Sequence, residues 1–169
     1  PYLRVFVWNR NSGAYERQPA GVDGLEPRGN SYGVGISGDG TKVLFASSAP
    51  NLPGGEGNAG EWYDTYVWDR TTGKVTRQPP GKFPNEPCDF GQDPPLGVSL
   101  QSLPKGISAD GNLVLFSSND CSYTPGKVDA FKYEMLVWNR TTETVQRQPL
   151  GLGGAEPNGS VIGGAFSPD

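Results

Sequence analysis

The chain of 169 residues carries 14 basic and 18 acidic side chains, no histidine and a net charge of −4. That balance offers no basic footprint for phosphate neutralisation, so nucleic acid is excluded as a partner class, and a histidine-dependent catalytic triad is excluded with it. Hydrophobic residues make up 34% and no apolar run approaches membrane-spanning length, so a single globular domain over 1–169 without a membrane span is expected.

The 25 glycines and 16 prolines recur at matched offsets, which makes them punctuation between short strands. In chain order, Val5-Phe6-Val7-Trp8-Asn9-Arg10 reads as a strand, Asn11-Ser12-Gly13 as a turn, and a second strand ends in Arg17-Gln18-Pro19, followed by Gly21 and Glu26-Pro27. A strand is predicted at 31–36, then a hairpin at Asp39-Gly40, then a strand at 42–47. After the long segment 48–63 come a strand at 64–69, within Thr65-Tyr66-Val67-Trp68-Asp69-Arg70, the turn Thr71-Thr72-Gly73, and a strand at 74–78 that reaches Arg77-Gln78-Pro79 and Glu86-Pro87.

The series then repeats. Gly106-Ile107-Ser108-Ala109-Asp110-Gly111 matches the block from Gly35 to Gly40, and Met135-Leu136-Val137-Trp138-Asn139-Arg140 leads to Arg147-Gln148-Pro149 and Glu156-Pro157. Glu143 stands where the other copies have glycine, so a different turn is expected there. Ala165-Phe166-Ser167-Pro168-Asp169 begins a third copy of the block. Trp68 to Asp110 is eleven residues longer than Trp8 to Asp39, and this insertion falls after Pro87 and before Gly106.

With strands lettered A to D within a unit, the order is C and D, two full sets of A to D, and a final A, eleven strands in all. A unit of this size exceeds any helical solenoid repeat and suits a four-stranded antiparallel propeller blade. The expected fold is all-β, with about three blades divided as 1–30 (second half of a blade), 31–80, 97–150 and 160–169 (first strand of the next). Propellers need four or more blades to close, so the chain is expected to be part of a larger propeller. The opening Pro1-Tyr2-Leu3-Arg4 has neither initiator methionine nor signal pattern and reads as the start of a processed or partial chain.

The pattern Ser-x-Asp-Gly-x-x-Val-x-Phe-x-Ser, then Tyr-Val-Trp-Asp-Arg-x-Thr-Gly, is carried by Ser37, Asp39, Gly40, Val43, Phe45 and Ser47 with Tyr66, Val67, Trp68, Asp69, Arg70 and Gly73. It resembles the blades of TolB-like (WD40-like) β-propeller repeat proteins and does so over essentially the whole chain. The resemblance implies an exported, secreted or periplasmic protein whose propeller binds other proteins; some members sit beside hydrolase domains. One architecture serves many functions, so the role must come from residues the copies do not share.

Residues repeated in every unit, Trp8, Trp68 and Trp138 among them, are assigned to packing and turns, and Glu26, Glu86 and Glu156 to charge clamps with the repeated arginines. In an antiparallel blade the A–B and C–D turns share one face and the B–C and D–A loops share the other. The long segments 48–63, 80–104 and 118–131 all belong to the second. Cys88 and Cys121 fall on that face in one blade, where a disulfide is expected to contribute about 3–4 kcal/mol and to imply an oxidising compartment. Trp62, Tyr63, Phe83, Phe90 and Tyr123 are the candidate binding residues there, since aromatic anchors dominate interfaces. Acidic Glu56, Glu61, Asp64, Asp120 and Asp129 offer oxygen ligands for calcium, but without the spacing of an EF-hand loop, and no cofactor or metal ligand is assigned.

The expected function is a non-catalytic exported module that binds a protein or surface polymer through its long-loop face. Two alternatives stand beside it: a fragment of a propeller hydrolase using loop carboxylates, and a structural component of an extracellular assembly whose open blade faces associate with another chain or with further blades. Enzyme assignment leans to none.

Overall fold

The computed structural model describes residues 1–56, 62–80, 101–120, 123, 132–148 and 159–167. Its ten strands are β1 (Phe6–Trp8), β2 (Tyr15–Arg17), β3 (Ser31–Ile36), β4 (Lys42–Ser47), β5 (Asp64–Asp69), β6 (Lys74–Arg77), β7 (Ser102–Ile107), β8 (Leu113–Ser118), β9 (Glu134–Asn139) and β10 (Thr144–Gln148). Each strand pairs antiparallel with its sequence neighbour, giving a two-stranded sheet β1-β2 and two four-stranded sheets, β3-β4-β5-β6 and β7-β8-β9-β10. These are propeller blades: half of one, then two complete ones. Both A strands carry a β-bulge at the same place, between Gly33 and Gly35 and between Pro104 and Gly106.

Side chains along a strand alternate between its two faces, and here both faces are apolar. Val43, Phe45, Tyr66, Trp68 and Val75 turn toward the half-blade and enclose Val5, Ala49 and Leu52 with Val7 alongside. From the other face of the same sheet Leu44 and Val67 meet Val114, Phe116, Leu136 and Trp138 of the next blade. Each large side chain so buried contributes roughly 1.5–3 kcal/mol. The first complete blade is thus covered on both sides. Among the described residues the half-blade is covered on one only: Trp8 is 54% exposed, where its counterparts Trp68 and Trp138 are 4% and 6%.

The turns are built by short polar side chains. Asp39 accepts from the Ser37 hydroxyl at 2.6 Å and the Thr41 amide at 2.9 Å, while the Lys42 amide donates back to the Ser37 hydroxyl at 2.9 Å; Ser108, Asp110 and Leu113 repeat the arrangement. Glycine at positive φ closes these turns (Gly40, +72°; Gly111, +73°) as well as the C–D turns at Gly13 (+70°) and Gly73 (+71°). Contrary to expectation, the third C–D turn has the same geometry: Glu143 adopts φ +55°, and Asn139 accepts from the Thr141 and Thr142 amides at 2.9 and 3.0 Å as Asn9 does from Asn11 and Ser12. The Asx cap imposes the turn, and glutamate tolerates the left-handed conformation at a cost.

The repeated arginine after Trp-Asp or Trp-Asn fastens neighbouring turns. Arg140 donates to the Gly111 carbonyl at 2.8 Å and Arg70 to that of Gly40, so each C–D turn is tied to the A–B turn of its own blade. Arg70 also pairs with Glu16 of the half-blade, through Nε at 2.8 Å and through a second N–H.

The eleventh strand expected at 160–169 does not form within the described residues, yet its segment lies where a blade's first strand belongs. The Val161 amide donates to the Tyr133 carbonyl at 2.8 Å, as Ser31 does to Leu3 (3.1 Å) and Ser102 to Tyr63 (3.3 Å). Phe166 lies 3.5 Å from a Cβ placed on Gly106, as Ile107 does from one on Gly35. The segment docks by its edge, but with no B strand alongside it in the described residues it has no ladder to join.

Two outcomes follow for stability. Glu143→Gly should raise unfolding free energy by about 1 kcal/mol and Gly73→Ala should lower it similarly, measured by urea denaturation. Hydrogen bonds from Ser37 and Thr41 hold Asp39 at about 2, and those from Thr71 and Lys42 hold Asp69 at about 2, both below the ordinary 3.8. A depressed carboxyl stabilises above its unfolded value and loses that stabilisation as pH falls through the folded one. The melting temperature should therefore be level above about pH 5 and drop between about pH 4 and 2, and Asp39→Asn should flatten that drop.

Candidate functional site

The two ends of the blades are chemically unlike. One end is the set of self-bonded turns just described, tied across blades by the Gly38 amide donating to the Ala109 carbonyl at 2.7 Å. The other end carries the long connections, of which 18–30, 48–56, 62–63, 78–80, 101, 119–120, 123, 132–133 and 159–160 are described.

The loop from β2 to β3 is held by three side chains. Arg4 reaches Glu26 at 3.3 Å and the carbonyls of Pro27 and Gly29 at 2.5 and 3.0 Å, and Arg17 pairs with the same Glu26. Asn51 accepts from the Arg28 amide at 2.8 Å and donates to Asp23 and to the Glu26 carbonyl, each at 3.0 Å. Hydrogen bonds from the Asn51 amide and then from the Leu25 backbone N–H hold the Asp23 carboxyl below its ordinary range. The chain passes so close at Gly21 that a Cβ there would stand 2.4 Å from Asn51. The clamp expected of Glu26 is present; Glu86 and Glu156 lie outside the described residues.

Among the described residues, the other two repeated arginines also meet acids that the spacing did not indicate. Arg77 is buried against Asp64 at 2.6 Å, and Arg147 meets Glu134 at 2.8 Å. Both acids open a C strand, and the matching position in the half-blade is Arg4, which explains why Glu26 takes two arginines there. Asp64, a candidate calcium ligand from the sequence, is thus a strand residue committed to an ion pair. Asp120 is buried, and Glu61 and Asp129 lie outside the described residues. Among the described residues no three acidic or sulfur side chains gather into a cation site.

Above this buried charge layer stands an aromatic group. Trp62 is 39% exposed and Tyr32 44%, and the Tyr63 ring lies 5.4 Å from that of Tyr32. A hydrogen bond between the two phenols raises the Tyr32 pKa. The position of Tyr63 is set by the backbone, since its carbonyl accepts the Ser102 amide of the next blade. Val22 and Leu25 are exposed on the β2–β3 loop. Tyr123 sits edge-on to Phe116, 5.5 Å between ring centroids, in the core between the two complete blades, and burial pushes its phenol upward. Its ring is therefore part of the interblade packing. Phe83, Phe90, Cys88 and Cys121 lie outside the described residues.

The sequence reading missed Tyr32, Val22 and Leu25. Tyr32 has a signal: Leu103 and Ile162 occupy the same position in the other copies, an apolar residue on the innermost strand of each unit, where packing within a blade does not require one.

No family model matches the chain, and no curated relative matches it. Among solved structures it is similar to TolB from Acinetobacter baumannii, at 17% identity and a TM-score of 0.44, over 92% of this chain and 30% of that one. The chain thus spans about a third of that structure's length.

The Asp64–Arg77 pair supports the strand that begins just after Tyr63, and removing one partner strands a buried charge. Asp64→Asn should cost about 3–5 kcal/mol in urea denaturation, and adding Arg77→Met should recover much of it; a single-variant loss below about 1 kcal/mol would count against a buried pair.

Proposed function

We propose that this chain is a non-catalytic binding module that engages a protein or surface polymer through the end bearing its long loops. The observation that carries the reading is the exposed pair Trp62 and Tyr32, with half-buried Tyr63 against Tyr32, mounted on β3 and just ahead of β5. Large amphipathic rings on a rigid scaffold lose little conformational entropy on binding and supply most of the energy at interfaces. The opposite end is largely consumed by its own hydrogen bonds, with Asp39, Asp69, Asp110 and Asn139 each bonded within their own turns. The copies diverge on the aromatic end, as a face selected for one partner should. An exported location and a Cys88–Cys121 bridge belong to the same proposal: the bridge would fix the two loops that differ most between copies.

The test is retention of exported proteins and surface polymers on the immobilised chain. Trp62→Ala combined with Tyr32→Ala should weaken retention by about tenfold or more, whereas Thr72→Ala, at the opposite end, should leave it unchanged. Equal retention by all three proteins would overturn the assignment of this face.

A further inference from the structure

Tyr32 and Tyr63 bring two phenols together, and their chemistry is separate from the binding reading above. Tyr32 lies opposite Ala46 in the β3–β4 ladder, and Ala46 lies opposite Thr65 in the β4–β5 ladder. Residues opposed in this way share one face of the sheet, and the ring contact puts Tyr63, two places before Thr65, on the same side. Only the methyl group of Ala46 stands in that row between β3 and β5. The ring centroids are 5.4 Å apart with planes inclined at 55°, and the hydroxyls share a hydrogen bond.

A blade does not require the second phenol. In the next blade Leu103 lies opposite Ser117 and Ser117 opposite Met135, so leucine takes the place of Tyr32 while Tyr133 takes that of Tyr63. Tyr133 is half-buried as Tyr63 is, and the fold is the same. Among the other ring contacts of the described residues, Tyr66 and Tyr123 lie against phenylalanines and Tyr15 against a tryptophan. Tyr66 is also sealed in the core, whereas Tyr32 is 44% exposed and within reach of a small oxidant.

We propose that Tyr32 and Tyr63 form a site of oxidative modification, becoming joined as a dityrosine when the chain meets hydrogen peroxide and a haem peroxidase. Each phenol gives one electron to the peroxidase and its phenolic proton to water. The resulting phenoxyl radicals carry unpaired density on the ring carbons next to C–O, and one such carbon from each ring forms the new C–C bond. The hydrogens on those carbons leave as protons and the oxygens are reprotonated, so both phenols are restored. The two electrons and two protons lost overall convert one hydrogen peroxide into two waters.

The rings need only a small approach to bond, and Tyr32, bordered by solvent, can make it by side-chain rotation. The link ties β3 to the residue that leads into β5, across β4, and so fixes the aromatic end of this blade covalently.

The test is treatment of the dilute chain with hydrogen peroxide and a haem peroxidase, followed by isolation of the monomer, tryptic digestion and mass spectrometry. The expected product is the peptide from Gly29 to Lys42 joined to that from Val43 to Arg70, lighter by two hydrogens than the two together, with fragment masses placing the bond at Tyr32 and Tyr63. Tyr32→Phe and Tyr63→Phe should each abolish the dityrosine fluorescence of the monomer, and Tyr133→Phe should leave it unchanged. All three changes keep the ring, so the fold should survive, which circular dichroism checks. A monomer without the linked peptide, a bond placed at Tyr66, or fluorescence that survives Tyr32→Phe would overturn the proposal. Dityrosine confined to covalent dimers would do so as well, since it assigns the reaction to collisions between chains.

Discussion

A blade with two apolar faces cannot bury either of them by itself, and that constraint orders everything else in this molecule. Side chains on each strand alternate across the sheet, so the first complete blade presents Phe45, Tyr66 and Trp68 to one side and Leu44 and Val67 to the other. Stability then becomes a property of adjacency, as in other repeat architectures. Trp68 and Trp138 are buried because a preceding unit lies against them, and Trp8, of the same type in the same place, is exposed. The difference comes from the neighbours and not from the residue.

Apolar packing sets blades side by side, and the repeated polar residues fix their register. Gln18 accepts from the Val5 amide and donates to Ser31; Gln78, its counterpart, accepts the Trp138 indole N–H at 2.6 Å, which crosses from one complete blade to the next. Thr65 donates to the Ser102 carbonyl across the same boundary. Such bonds contribute modestly one by one, and their larger effect is that a slipped register would leave buried donors unpaired. The Arg-Gln-Pro signature therefore joins two jobs in adjacent residues: the arginine neutralises an acid, and the glutamine serves strand and blade boundaries.

The same economy separates the ends of the blades. Where a connection is short, its side chains are used up in closing it, with Asp39, Asp69, Asp110 and Asn139 all bonded to their own turns. Where it is long, hydrogen bonds from a few hubs such as Asn51 and Arg4 hold the backbone, and Trp62, Tyr32, Val22 and Leu25 remain for solvent or a partner. A rigid platform with unspent aromatic surface is what loop-borne recognition requires.

Much of this was legible in the sequence, because strands, tight hairpins and Asp-Gly turns depend on residues close together in the chain. The boundaries of β3, β4 and β5 coincide with the ranges read from alternation alone, and the existence of two unlike ends followed from the order of short and long connections. Other features depended on contacts distant in sequence. Spacing suggested that the repeated arginines meet the glutamates of the Glu-Pro pairs, and Arg17 does; it gave no sign that Arg77 and Arg147 also meet the acids that open the C strands. Nothing local distinguishes Trp8 from Trp68, or segment 161–166 from a strand, because burial and ladder formation require a neighbouring strand that these positions themselves do not supply. Sequence determined the repeat, the turns and the faces; the tertiary structure decided which faces are covered, since a side chain's pattern sets which way it points and only packing sets what it meets.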